Sequence, residues 1–539
     1  MKGIKSFFIG LLLIAIIVFC SGILGQKIFS GKSNDLTVTE TVFDTDFGMF
    51  LAAQHALYVN DFTNAAKMIS AVKSDVPLVE QNKVVINFFS GKIPENASNL
   101  KKSKDLISRF IYDAHLIEQD KWKDVYERHK KDESLIAAPL RIFSTVKQGK
   151  KKEAIKFIDS LKTDDSWKAF VRGQIAVLNN DIDEAAKEFA KVHPEFMNVN
   201  DYLYLMSFYQ KNNMIEDMDI LHDDFVNKPG SMYILNYPEI PDWANYDGYK
   251  NNLVFSIIQT VSHTQIMIYT DLSLAFLRFA QVISNETNLD AVNYYLGQYY
   301  FYNSGDYKTC FENINKTSPL YLFSELKIAE KDKNFSKIAK IAKKNPLFIP
   351  AVNLVVRQNI KNGNKYSAMR FINRGLRQKN LNENGRAYFL KQRAYVNLMF
   401  DNVASAQDDI NAIRESGANL TTDIMLLQAR IWEKQNKNLD KAYNLAMELI
   451  KINTSDFNAW DVLGLIISKR ENVTNALEIM ESVSSTAITA SSIFEHLGDL
   501  YLQNGDKERA KRAYSQALDL SEDGLIVVPS VRKKLRKIK

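Results

Sequence analysis

The feature that most restricts how this chain can fold is an internal period of 34 residues. From Ile493 to Leu520 the chain reads IFEHLGDLYLQNGDKERAKRAYSQALDL, placing Phe494, Leu497, Gly498, Tyr501, Gly505, Ala510, Tyr514 and Ala517 at helical spacing. One period earlier stand Trp460, Leu463, Gly464, Ile467, Ala476 and Met480, and a further period back Ala442 repeats Ala476, with Ala446 four residues on. A period of this length is one helix–turn–helix unit. Such a unit cannot bury its apolar face alone, so copies must stack. The small residue after Leu463 or Leu497, and the alanine twelve positions later, are expected where the two helices cross and only small side chains fit. The large residues fill the groove against the next copy.

Weaker copies cover most of the chain. Ala53, Ala56, Ala65 and Ile69 form one, closed by Pro77. Gly173, Ala176, Ala185 and Phe189 form another, and Leu296, Gly297, Tyr300 and Gly305-Asp306 a third. Two more centre on Ala368 and Ala406. Helix breakers are sparse for 539 residues, with 21 Gly and 11 Pro, as a continuous helical array requires. The spacing therefore predicts an all-α solenoid of stacked antiparallel helix pairs. A degenerate array is expected over 46–225 and a more regular one over 263–522, clearest after Leu347, with ten to thirteen pairs in total.

The ends are different. Lys2 and Lys5 precede an apolar run from Phe7 to Gly25, the layout of an export signal. Residues 1–25 are thus expected to be a signal peptide, cleaved for example after Gly22, or a retained membrane helix over 7–25. The long run and weak cleavage motif favour the helix, and residues 26–45 read as a linker. The preceding lysines should stay cytoplasmic, leaving the body on the periplasmic side. Phe19 before Cys20 argues against lipidation, so Cys20 reads as an apolar residue. Six basic residues crowd the last eight positions, among them Arg532, Lys533, Lys534, Arg536 and Lys537. In the tail 523–539, Val531, Leu535 and Ile538 fall on one helical face, with Ser530 as N-cap. The tail reads either as a capping helix or as a contact for an anionic surface. Without these six and Lys2 and Lys5, the formal charge of +6 falls to −2. The body lacks the basic surplus that nucleic-acid binding needs.

The repeat pattern fails over 226–262. Pro229, Gly230, Pro238, Pro241 and Gly248 break any helix, and Tyr233, Tyr237, Trp243, Tyr246 and Tyr249 are interspersed among them. The stretch reads as an irregular connector whose aromatics either pack on neighbouring helices or present a partner-binding loop, with Tyr233, Tyr237, Trp243 and Tyr246 as the candidate contacts.

No catalytic, cofactor or metal constellation is legible. The seven histidines fall at no metal-ligand spacing. His222-Asp223-Asp224 reads as a solvated helix end, and His496 as a structural residue of the last repeat. Gly31-Lys32-Ser33 has Gln26 where a phosphate loop needs its first glycine.

The Leu-Gly, aromatic, Gly-turn, Ala, aromatic, Ala series resembles the tetratricopeptide repeat. The whole chain also resembles exported tetratricopeptide proteins of alphaproteobacteria. That likeness lies in its AAQHA opening, its LSLAFLRFAQVIS and YYLGQYY centre, and its DFNAWDVLGL and EHLGDLYLQNGD ending, with Val462 departing from the serine usual there. The resemblance implies an envelope protein facing the periplasm; the repeat architecture together with export reads as a non-catalytic scaffold with other envelope proteins as partners. A membrane-anchored regulator facing the cytoplasm, or an enzyme within a helical array, are the alternatives.

Overall fold

The computed structural model describes residues 45–538, apart from 60, 75, 104, 194–196, 227–245, 264–270, 285, 304, 380, 382, 419 and 487. The expected N-terminal export segment and nearly all of the 26–45 linker lie outside the described residues. Among the described residues no helix is long and apolar enough to cross a membrane, there is no β-strand, and 28 α-helices follow one another.

The chain divides into two compact units, residues 1–86 and 87–539. The first contains α1 (Asp46–Tyr58), α2 (Phe62–Ala71) and most of α3 (Pro77–Phe89). Ala53, Ala65 and Ile69 are fully buried where α1 meets α2, together with Ile86. Asp61 caps α2 by accepting from the Asn64 amide at 3.1 Å.

The second unit opens, after a 3₁₀ turn (Glu95–Lys102), with α4 (Leu106–Glu118), α5 (Trp122–His129), α6 (Ala138–Lys147), α7 (Lys151–Ser160), α8 (Asp165–Leu178), α9 (Ile182–Phe189), α10 (Val199–Lys211) and α11 (Ile215–Val226). Then come α12 (Gly248–His263) and α13 (Asp271–Ile283), and the pairs α14 (Glu286–Asn303) with α15 (Tyr307–Glu312) and α16 (Tyr321–Lys331) with α17 (Phe335–Lys344). Five regular pairs follow: α18 (Ile349–Lys361) with α19 (Lys365–Leu376), α20 (Glu383–Met399) with α21 (Val403–Glu415), α22 (Thr422–Gln435) with α23 (Leu439–Ile452), α24 (Phe457–Arg470) with α25 (Val473–Thr486), and α26 (Ser491–Gln503) with α27 (Lys507–Asp519). The chain closes on α28 (Val528–Lys537).

One local device makes many of the hairpins. The first helix ends in a left-handed residue: Asp120, Asn180, Asn213, Lys333 and Asp401 have φ between 51° and 58°, and Gly149, Gly363 and Gly505 between 76° and 83°. Short polar side chains and glycine tolerate this region best. In several of these turns the next residue caps the second helix. Asp181 accepts from Glu184 N at 3.3 Å, Asn334 from Lys337 N at 3.0 Å and Asp506 from Arg509 N at 2.9 Å. Each bond satisfies an amide that the helix start leaves unpaired.

Within a pair the helices approach through a glycine. A Cβ on Gly173 would meet the Phe189 ring at 2.2 Å, and one on Gly498 the Tyr514 ring at 2.6 Å. A Cβ on Gly464 would meet Met480 at 2.7 Å. In each case the partner lies sixteen residues on, in the second helix of the same pair. Gly297 makes the same contact with Phe311 at a separation of fourteen, whereas Gly375, in the second helix of its pair, meets Phe389 in the first helix of the next pair.

The helix bounds correct two expectations. The irregular connector ends well before residue 262, because α12 begins at Gly248. After that glycine, Asn251 to Val261 are buried without interruption, and a helix enclosed on all sides needs no amphipathic period to announce it. In the tail, Ser530 is not an N-cap. The helix starts at Val528, with Pro529 in its first turn, and Val527 stands at the cap with no side-chain bond.

Candidate functional site

Nearly all the predicted packing residues sit at helix crossings. Ala53, Ala65, Ala185, Leu296, Ala368, Ala406, Ala442, Ala476, Ala510, Tyr514 and Ala517 are completely buried, and Tyr300, Leu463, Leu497 and Tyr501 nearly so. Trp460 is only half-buried; its indole N–H donates to the Thr454 carbonyl at 3.0 Å, tying down the loop before α24.

The inner wall of the first array is already occupied. α12 packs on α6 and α8, and α13 packs on α4. The Trp167 indole donates to Thr260 Oγ1 at 3.2 Å and Gln174 Nε2 to the Asn252 carbonyl at 3.1 Å. The Tyr204 hydroxyl donates to Asn252 Oδ1 at 2.9 Å. Phe276 lies 4.7 Å from Phe110, and Phe255 4.8 Å from Tyr204. The polar side chains that would have faced solvent in an empty groove are spent on the chain's own helix. Tyr246 belongs to this core. It is buried beside Tyr204 and Phe208, with Lys211 Nζ 4.7 Å above its ring. That corrects its reading as a partner contact; Tyr233, Tyr237 and Trp243 lie outside the described residues.

The second array keeps its inner wall open. The first helices of its five pairs, α18, α20, α22, α24 and α26, line a cavity of about 470 Å³. Its floor includes Val356, Leu398, Leu426 and Val462, and its charges are arranged in pairs. His496 Nδ1 lies 2.9 Å from Asp461 and its Nε2 2.9 Å from the Arg430 guanidinium. Arg430 also pairs with Glu433 at 2.5 Å, Lys391 with Asp423 and Lys434 with Asp401 at 3.1 Å. Arg357 lines the same cavity with no ion-pair or hydrogen-bond partner among the described residues. The Tyr395 hydroxyl also faces this environment. Burial pushes it up to about 12, with the Arg357 charge pulling the other way.

The end of the chain returns to the start of this array. Lys361 pairs with Glu522 at 2.6 Å, across 161 residues. Gly524 lies so close to α18 that a Cβ there would meet Arg357 Cβ at 2.9 Å, and one on Gly363 would meet Pro529 at 3.2 Å. Ile526 and Val531 are fully buried. Leu525, Val527, Ser530 and Lys534 complete the cavity wall. Lys534 bridges Glu495 at 2.8 Å and Asp499 at 2.7 Å. Burial works to lower its ammonium, but the two carboxylates outweigh that and hold it above the ordinary lysine range. Of the basic tail residues proposed to meet an anionic surface, Lys534 is therefore turned inward, while Arg532, Lys533, Arg536 and Lys537 are exposed.

Two further histidines, His222 and His129, are internal. His222 is not at a solvated helix end: it is buried, 2.9 Å from the Tyr202 hydroxyl. His129 is buried against Asp113 at 2.8 Å, and Asp113 in turn accepts from Arg128 Nε at 2.6 Å. Among the described residues no group of three or more His, Cys, Asp or Glu is arranged to hold a metal ion.

Sequence reasoning missed Arg357, Tyr395, Lys391 and Asp461 as cavity residues and read His496 as structural. A signal was present. Asn458 and Ser492, Asp461 and Glu495, and Val462 and His496 are each one 34-residue period apart, and all six line the cavity. The positions just before the Leu-Gly pair therefore face inward.

No family model matches the chain, and no curated protein does. Solved structures similar to it include a tetratricopeptide repeat protein from Parabacteroides merdae, at 14% identity and a TM-score of 0.34, covering 47% of this chain and 97% of that one. Another is the APC/C hetero-tetramer Cut9-Hcn1, at 13% identity and a TM-score of 0.29, covering 92% and 96%. The assignment of helix pairs rests on the packing described above.

Proposed function

We propose that this chain is a non-catalytic, tetratricopeptide-type interaction scaffold of the cell envelope. Its partner face is the inner wall of α18 to α26. The observation that carries this reading is the contrast between the two arrays. The first has its inner wall filled by α12 and α13, whereas the second leaves a polar and apolar wall around a cavity of about 470 Å³. A concave helical surface of this kind suits an extended partner segment. Export is supported by the lysine-flanked apolar run at the N-terminus, with partners drawn from other envelope proteins.

The test is affinity capture from detergent-solubilised membranes with the full chain, compared with Leu426→Arg. Leu426 is half-buried in the cavity wall and packs against the core of the last repeats, so the folded state of the variant is checked by circular dichroism beside the capture. A partner captured by the natural chain and lost from the variant supports the reading; equal recovery overturns it. Topology is read separately from a reporter fused after Lys539. Phosphatase activity places the body outside the inner membrane, and cytoplasmic fluorescence favours the regulator alternative.

A further inference from the structure

The outer face of the second array carries charge of one sign. Residues 333–382 hold twelve Lys and Arg and no Asp or Glu, although the body as a whole stands at −2. The stretch builds α17, α18 and α19. Of these, α17 and α19 contribute nothing to the cavity wall and turn their charges to solvent. On α19 the exposed residues Tyr366, Arg370, Arg374 and Arg377 follow at helical spacing, as a single stripe. On α17 the last two turns expose Lys340, Lys343 and Lys344. None of these six cations has an ion-pair partner among the described residues. Nearby carboxylates are engaged elsewhere: Glu325 pairs with Lys337 at 3.4 Å, and Asp332 accepts from the Tyr307 hydroxyl at 3.3 Å.

The fold joins the basic tail to this surface. Pro529, in the first turn of α28, lies against Gly363 in the α18–α19 turn, where a Cβ would meet it at 3.2 Å. Glu522 accepts from Lys361 at 2.6 Å, and its carboxyl is held below the usual range by that bond and by the Lys333 charge. The starts of α17, α19 and α28 therefore meet at one edge. Arg532, Lys533, Arg536 and Lys537, exposed on α28, extend the cationic surface from there. At the same edge stand Tyr366, 83% exposed, and Phe335, 40% exposed. One sign of charge spread over several helices is complementary to a plane of anionic headgroups. An exposed tyrosine beside lysines suits the depth where headgroups meet acyl chains.

We propose that the outer face of α17 and α19, together with α28, lies on an anionic lipid bilayer. The choice of lipid over another polyanion rests on the envelope reading above, in which the apolar run over 7–25 brings the body to a membrane.

The test is lysine acetylation footprinting of the full chain, reconstituted in nanodiscs of phosphatidylcholine alone or mixed with phosphatidylglycerol. Discs need no export, so the outcome is independent of the topology reporter and of the partner capture. The expected result is slower acetylation of Lys340, Lys343 and Lys344 in the anionic discs only, reversed by high salt, which screens surface charge. Lys152 and Lys156, exposed on α7 of the first array, should acetylate equally in both. Arg370→Gln combined with Arg374→Gln should reduce the protection at least ~10-fold, since each cation near an anionic surface is worth on the order of fivefold. Lys152→Gln combined with Lys156→Gln, the same change of charge, should leave it intact. Tyr366→Ser, which removes no charge, should reduce it by a smaller factor, and it decides the matter if the arginine variant does not fold. Equal acetylation in the two kinds of disc overturns the proposal, as does protection unaffected by the folded variants. Protection by poly-glutamate or by single-stranded DNA, with none by the anionic discs, overturns it in favour of an acidic protein segment or a nucleic acid.

Discussion

At the scale of single residues, the fold depends on absent side chains as much as on present ones. Gly173 has no room for even a methyl group, since its Cβ would stand 2.2 Å from the Phe189 ring. Gly173→Ala gains about 1 kcal/mol of helix propensity, but it forces Phe189 off its place in a well-packed crossing. Overpacking of that kind costs about 1–3 kcal/mol. The expected net effect is a lower Tm, measured by thermal unfolding followed by circular dichroism. Gly505 makes the opposite demand. Nothing lies within 4 Å of its Cβ position, but its φ is +83°. Asparagine, which visits the left-handed region, should therefore be tolerated there better than valine in the same measurement. Cys310 is a residue-scale case of chemistry suppressed by packing. Burial pushes its thiol up to about 11, the Arg278 charge opposing this and Asp306 adding to it. Only the thiolate is nucleophilic. At pH 8 Cys310 should thus alkylate roughly a hundredfold more slowly in the native protein than in urea. Peptide mapping after timed iodoacetamide exposure checks this, and equal rates would contradict a raised thiol at this half-buried position.

At the scale of elements, α28 decides whether the second array is a groove or a cavity. Its anchor is Lys534 between Glu495 and Asp499. Lys534→Met should loosen the helix by about 1–2 kcal/mol, because it removes two hydrogen bonds to charged groups and leaves Glu495 poorly compensated. Faster amide exchange in Val528–Lys537, with α22 and α24 unchanged, is the expected signature. The pH dependence has a definite sign. A lysine whose folded value is raised contributes fully below its unfolded value, and the contribution is lost as pH rises through the folded value. The α28 anchor should therefore hold at neutral pH and release only above the ordinary lysine range, so a profile flat from pH 6 to 9 is expected. Helix α12 illustrates the other limit. Its buried polar residues Asn252 and Thr260 bond to Tyr204, Gln174 and Trp167 of the first array. It is a permanent part of that array's core.

At the scale of the whole molecule, much of the fold was legible from spacing alone. The period that ties Gly464 to Gly498 carries a local steric demand, a helix crossing with no room for a Cβ, and such demands are written in sequence. The turns were legible for the same reason, as in Gly505-Asp506. The irregular connector was drawn too long because α12 is buried all round, so no amphipathic pattern marks it. The candidate site was hardly legible. Arg357 and His496 lie on different helix pairs, and their convergence depends on how the pairs stack and where the chain end returns. The inner-facing positions do repeat at 34 residues, as Asp461 and Glu495 do, but they differ in chemistry from copy to copy. Repetition therefore marks where they point and not what they hold.

The return of the chain end to α18 has one more consequence, in the order of unfolding. An open stack of repeats frays from its last unit, because that unit has a neighbour on one side only. Here α26 and α27 precede a segment that is bonded back to α18 through Glu522 and Lys361. The last repeat is therefore braced from both directions. Its amides should exchange as slowly as those of α22 and α23, and Lys361→Glu, which sets two like charges face to face, should restore the fraying.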